Sequence, residues 1–259
     1  MSSHSTSVQH LHRYRPITSP LWRRASALLV GTVAMGFGVS LLLASRIGML
    51  PIDVLHLGAA HALGSTIGGG VIAVQSVLLM GCLVLRIRPG LGTVVAFVVP
   101  ALIIDILRPH VWHVDAFALQ IALFVAGGVL FCVGAASYLA ADLGRIPRDA
   151  LMLAWLRGAP PTGRGRQIAC VRVGIDIACA TAGTILLGAD LAIGSGVLGL
   201  GTAVLALGCG PLIAVFWPRI ARFVGSPHTT GQACTSGHTK TTGHRASGEA
   251  ARTLTPDGD

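Results

Sequence analysis

Six long apolar runs dominate the chain, and the short stretches between them hold most of its charge. The runs are Ala25–Ala44, Thr66–Leu85, Leu91–Leu107, Ala116–Ala141, Ile168–Leu187 and Leu191–Phe216. Each approaches or exceeds the ~20 residues that cross ~30 Å of hydrocarbon at about 1.5 Å per residue. The pattern therefore predicts six transmembrane helices. Two further segments, Pro51–Leu63 and Pro147–Arg157, open on a proline and are too short to cross; they suit re-entrant or half-depth helices. The first run could be taken for a signal peptide, but its polar lead is long and many spans follow, so it reads as a retained first helix.

The short segments expose an internal repeat. "GMLPIDVL" begins at Gly48 and "GRIPRDAL" at Gly144, and both have the form G-x-x-P-x-D-x-L. "GLGT" at Gly90–Thr93 follows the first, and "GLGT" at Gly199–Thr202 follows the second. Each half reads span, first motif, span, second motif, span. Three crossings per half is an odd number, so the second half must enter the membrane from the opposite side. The expected fold is an all-α membrane protein with an inverted three-plus-three repeat, an architecture that places irregular helices near a central site. The expected divisions are a polar basic arm (1–24), repeat one (25–110), repeat two (116–217) and a disordered polar tail (225–259).

Charge fixes the expected orientation. With a cytoplasmic N-terminus, Arg13, Arg15, Arg23, Arg24, Arg86, Arg88, Arg145, Arg148, Arg157, Arg164, Arg166, Arg219 and Arg222 fall inside, and only Arg46 and Arg108 fall outside. Thirteen against two is the asymmetry of the positive-inside rule and predicts both termini in the cytoplasm. Composition agrees: 53% of residues are hydrophobic and 11% charged, against about 25% charged in soluble domains. The net charge of +9 is spent on span flanks, not on a basic helix, so nucleic acid is not an expected partner. The expected partners are a lipid bilayer and a small solute or a partner protein.

Few residues carry candidate chemistry. In each first motif, glycine permits a sharp turn and proline suits the first helical position. Gly48, Pro51, Gly144 and Pro147 are thus helix-break residues, and Asp53 and Asp149 fall in the first turn that follows. Those carboxylates either cap orphan N–H groups or line a polar cavity and bind a cation or proton. Gly92–Thr93 and Gly201–Thr202 read as a turn followed by a threonine N-cap. Arg172 and Asp176 are four apart on one span and share a face, as an internal salt bridge or a solute contact; Gln75 lies near the corresponding place in the first half. Asp105 reads as interfacial, and His56 and His61 as packed or interfacial. His110, His113 and Asp115 are too few for a metal site, and the tail histidines are too widely spaced. The six cysteines form no C-x-x-C pair and read as small buried hydrophobes. No nucleophile–base set is visible, so neither an enzyme nor a cofactor is expected.

The stretches "GMLPIDVLHLG" with "RPGLGT", and "ADLGRIPRDALMLA" with "VRVGIDI" and "GLGT", resemble the YczE-type bacterial membrane proteins, grouped with YitT and YyaS. The resemblance covers roughly Leu28 to Trp217. At the acidic position of the second half this chain has Asp176, which keeps the charge of a glutamate with a shorter reach. The resemblance implies a multi-pass plasma-membrane protein and carries over no catalytic residue and no substrate. The leading expectation is a secondary transporter or permease whose site draws on Asp53, Asp149, Arg172, Asp176 and Gln75. A non-transporting membrane scaffold or regulator is the alternative.

Overall fold

The structure is a computed structural model and describes residues 20–87, 89–110, 114–144, 146–148, 151 and 164–225, with the backbone alone for 164–169. The N-terminal arm before Pro20, the tail after Gly225, Asp149 and most of the expected second short helix lie outside these residues.

The described chain is helical: α1 Leu21–Ser45, α2 Pro51–Ala62, α3 Ile67–Val84, α4 Leu91–Leu107, α5 Phe117–Ala141, α6 Arg164–Leu187, α7 Ala189–Gly194 and α8 Leu200–Val224. A single 3-10 turn, Arg108–His110, follows α4. Helices α1, α3, α4, α5, α6 and α8 are long and apolar enough to span a membrane. Their outward side chains agree with a lipid solvent: Phe117, Val77, Ile185 and Phe223 are 69% to 85% exposed. In water these would form large apolar patches; in hydrocarbon they meet their own kind.

Several boundaries differ from the hydropathy pattern, among them the start of α6 at Arg164, and two have a clear physical cause. Helix α1 starts at Leu21, four residues early, because Arg24 has a reason to be helical. Its guanidinium is buried and donates from Nε to Ala141 O at 2.8 Å and from Nη2 to Asp142 O at 2.5 Å. Those carbonyls lie at the C-terminus of α5, where the chain leaves its own carbonyls unpaired and the helix dipole favours a cation. The sixth apolar run is not one helix. It breaks between α7 and α8, where Gly196 adopts φ +70°, and α8 then continues through Pro211 and Pro218 to Val224. Apolar composition is continuous across the break, so hydropathy alone passes over it.

Helices α1 and α5 form the central pair. A Cβ on Gly31 would lie 2.7 Å from Gly134 O, and one on Gly38 would lie 2.8 Å from Gly127 O. Because residue numbers rise along α1 as they fall along α5, the two helices are antiparallel. Glycines let the backbones touch, and in lipid, where burying apolar surface gives no drive, this close packing is what holds helices together. Helix α4 packs on α1, α8 on α5, and α2 lies against both α3 and α6.

The core runs through this arrangement. Leu42, Met49, Val54 and Cys132 are almost fully enclosed. Tyr138 is also enclosed, and its phenol oxygen accepts from the Ile146 N–H at 2.9 Å, which ties the second copy of the first motif to α5.

Candidate functional site

The two copies of the first motif begin alike. Helix α1 ends with Arg46 in the left-handed region (φ 55°), and α5 ends with Asp142 there (φ 49°). Two residues on, Gly48 and Gly144 take φ +157° and +149°. Each glycine is pressed against the "GLGT" of the other half. A Cβ on Gly144 would meet Thr93 Oγ1 at 2.7 Å and Thr93 N at 2.8 Å; one on Gly48 would meet the backbone of Gly201 and Thr202. Backbone bonds repeat the exchange: Gly92 N–H donates to Leu143 O at 3.2 Å and Gly201 N–H to Ile47 O at 3.3 Å.

The "GLGT" threonines differ from expectation. The N-caps of α4 and α8 are Gly90 and Gly199, and the threonines lie three residues later. Each hydroxyl turns back to accept the N-cap amide, Gly90 N–H to Thr93 at 3.2 Å and Gly199 N–H to Thr202 at 3.3 Å. This is the return half of a capping box. Glycine is needed at the cap because Leu143 O approaches Gly90, and Ile47 O approaches Gly199, too closely for a side chain.

Asp53 is brought into a polar cluster. Pro51 opens α2, the Asp53 N–H bonds Leu50 O at 2.8 Å, and the carboxylate stands in the first turn. No first-turn N–H donates to that carboxylate. Instead His56 Nδ1 lies 2.9 Å from Asp53 Oδ1, and Gln75 Nε2 of α3 lies 3.5 Å from His56 Nε2. All three residues are at most 7% exposed. The contact exists because Gly70 lets α3 ride on α2: a Cβ there would sit 2.8 Å from Ala60 N. Asp53 Oδ2 and Gln75 Oε1 are buried with no hydrogen-bond partner. His56 is the member that sequence reasoning missed, and its signal was the spacing Asp53-x-x-His56, which puts both on one helix face.

In the second half Asp176 pairs with Arg148 rather than Arg172: Arg148 Nη1 donates to Asp176 Oδ1 at 3.2 Å. Arg172 Nε is buried without a partner. The four-residue spacing on one helix was the weaker bond-former because the motif arginine reaches Asp176 from a neighbouring segment. Asp105 is also more than interfacial: it accepts from Thr66 Oγ1 at 2.7 Å and from Gly68 N–H at 2.8 Å, capping α3 from α4. A cavity of about 310 Å³ opens beside α2, lined among others by Leu57, Ala60, His61, Ser65, Arg108 and Ser195. Among the described residues no group of three His, Cys, Asp or Glu side chains is arranged to hold a metal.

Six helices long and apolar enough to span a membrane, with a small buried polar cluster where α2 meets α3, define a polytopic α-helical membrane protein. Residues 22–218 match DUF6198, a family of unknown function, and the chain belongs to that family. An uncharacterized protein of Haemophilus influenzae is 28% identical over 207 residues, 80% of this chain and 89% of its own length. The uncharacterized membrane protein YczE of Bacillus subtilis is 29% identical over 125 residues, 48% of this chain and 58% of its own. The likeness to YczE agrees with the resemblance carried by the motifs. No solved structure matches.

Proposed function

We propose that the protein is a secondary transporter or permease of a small solute in the plasma membrane, built as an inverted three-plus-three repeat with both termini in the cytoplasm. The observation that carries this reading is the Asp53–His56–Gln75 cluster. Three polar side chains are buried at a short helix inside an apolar bundle, and two of their acceptor atoms lack a donor. Ionisable groups at such positions are costly, and they mark solute and ion pathways. The exchange between the first motifs and the "GLGT" turns supports the repeat. Residue 47 bonds 201 as 143 bonds 92, and Gly31 meets Gly134 as Gly127 meets Gly38. A two-fold relation between the halves generates both pairs of contacts. Asp149, Arg172 and Asp176 are the second half's contribution to the site. The arginine asymmetry supports the orientation.

Uptake into proteoliposomes, measured against a broad solute panel, tests the proposal. Flux of one solute class is expected, lowered roughly tenfold or more by Asp53→Asn, the effect of about 1.4 kcal/mol on a barrier. Folded protein that moves no solute in the panel overturns it and favours the scaffold role.

A further inference from the structure

The transport reading names no coupling ion, and the polar cluster points to one. An ionised Asp53 carboxylate can only accept, so the His56 ring proton sits on Nδ1, 2.9 Å from Asp53 Oδ1; in the neutral ring Nε2 is then an acceptor, and it faces the Gln75 amide. With Asp53 ionised and His56 neutral, the cluster holds one negative charge inside the bundle. One proton brings it to zero. The arrangement can take that proton without moving a helix, because an amide turned by half a circle keeps its shape and exchanges donor for acceptor. A proton on His56 Nε2 then meets Gln75 Oε1, the acceptor that otherwise has no partner.

We propose, resting on the transport reading, that Asp53–His56–Gln75 is a proton-loading site. Its acceptor is His56 Nε2, and the Gln75 amide turns over as the proton arrives. A metal cation fits the same residues poorly. Hard cations ask for six or more oxygens, and this cluster offers one carboxylate and one amide.

The environment is compatible with proton transfer. Leu57, next to His56 in the chain, and Ala60, about one turn beyond it on the same helix, line the cavity beside α2. On α3 the neighbour is Gln75, which is neutral. On α6, the other helix packed against α2, the contact falls at Gly183, whose added Cβ would touch the backbone of Val54 and Leu55. The ionisable side chains of α6 in the span, Cys170, Arg172, Asp176 and Cys179, lie one turn or more before that contact, and Asp176 is held by Arg148. Asp53 is the charged group that His56 touches, and His61 of the same helix lines the cavity.

The test is nitrogen NMR of the full chain, labelled at histidine and reconstituted in lipid nanodiscs, with the His56 signals identified by their loss in His56→Gln. At alkaline pH, His56 is expected to carry its proton on Nδ1 alone; on acidification a second proton appears on Nε2. Gln75→Glu, which accepts from that proton and adds a negative charge, is expected to raise the midpoint of this change by about one pH unit or more. Gln75→Leu, which removes the acceptor, is expected to lower it.

A ring protonated on Nε2 at alkaline pH, an Nε2 that stays bare throughout, or a midpoint unmoved by Gln75→Glu overturns the proposal. The wild-type spectrum decides the first two points even where a variant fails to fold. Transport and proton loading also fail separately. Solute flux with a silent His56 removes the proton site and leaves the transporter; a titrating His56 without flux does the reverse.

Discussion

Replacing Gly48 or Gly144 with alanine probes the crossed contacts that tie the two halves together. Both glycines have φ values that side chains rarely adopt, +157° and +149°. Holding alanine there costs about 1–3 kcal/mol in backbone strain. The new methyl group adds a steric term. At Gly144 it falls 2.7 Å from Thr93 Oγ1 and 2.8 Å from Thr93 N, where the neighbour is partly backbone and cannot swing away. The first turn of α4 must then retreat from Leu143 O, weakening the bond from Gly92 N–H, which is worth about 0.5–1.5 kcal/mol. Each substitution is therefore expected to destabilise the protein by about 2–4 kcal/mol. The two losses should be similar, because Gly48 strains the same bond in the other half, Gly201 to Ile47. Reversible unfolding in mixed detergent–lipid micelles measures this, with Gly174→Ala and Gly208→Ala as controls. A Cβ at either control position meets nothing within 4 Å, and alanine favours a helix over glycine, so neither should lose stability. Losses below about 0.5 kcal/mol at Gly48 and Gly144, or equal losses at the controls, would refute the reasoning, since unremarkable surface substitutions fall in that range.

Three further outcomes are expected in the same unfolding assay. Arg24→Ala removes two charge-assisted bonds to the end of α5 and should cost about 1.5–3 kcal/mol, with Arg24→Lys recovering only part, since an ammonium cannot reproduce the fork. Asp105→Ala frees Thr66 Oγ1 and Gly68 N–H at the start of α3 and should cost about 1–3 kcal/mol; a cost near zero would show that water replaces the carboxylate. Gly134→Leu drives a side chain into Gly31 O at 2.5 Å and should cost more than Gly128→Leu on the same helix, where a Cβ would meet a flexible Leu205 side chain at 3.2 Å.

How much of this was legible depended on the range of the interaction. Spans depend on local composition, and α4 begins and ends where the apolar run does, at Leu91 and Leu107. The start of α1 was misjudged because Arg24 is polar in the sequence. Its place in the helix is set by carbonyls more than a hundred residues away. Hydropathy passes over the break before α8, because glycines and a serine sit in a run that stays apolar overall, but the "GLGT" motif marks it with a turn and cap at Gly199–Thr202. Asp53 and Gln75 stood out as polar residues in apolar surroundings. Their link, His56, did not, because the repeat places Met152 at the matching position and a histidine on a short helix suggests an interface. In the second half helix spacing places Arg172 and Asp176 on one face, as a salt bridge or a solute contact, yet Arg148 reaches Asp176 across a tertiary contact that no spacing rule contains.

The account rests most on the two first-motif copies lying at opposite membrane faces, the first of them supplying Asp53 to the polar cluster. Reporter fusions read this directly. Fusions after residues 88 and 163 are predicted to be cytoplasmic, and a fusion after residue 113 external. A cytoplasmic reading after residue 113 would contradict the account, because the two halves would then enter the membrane from the same side.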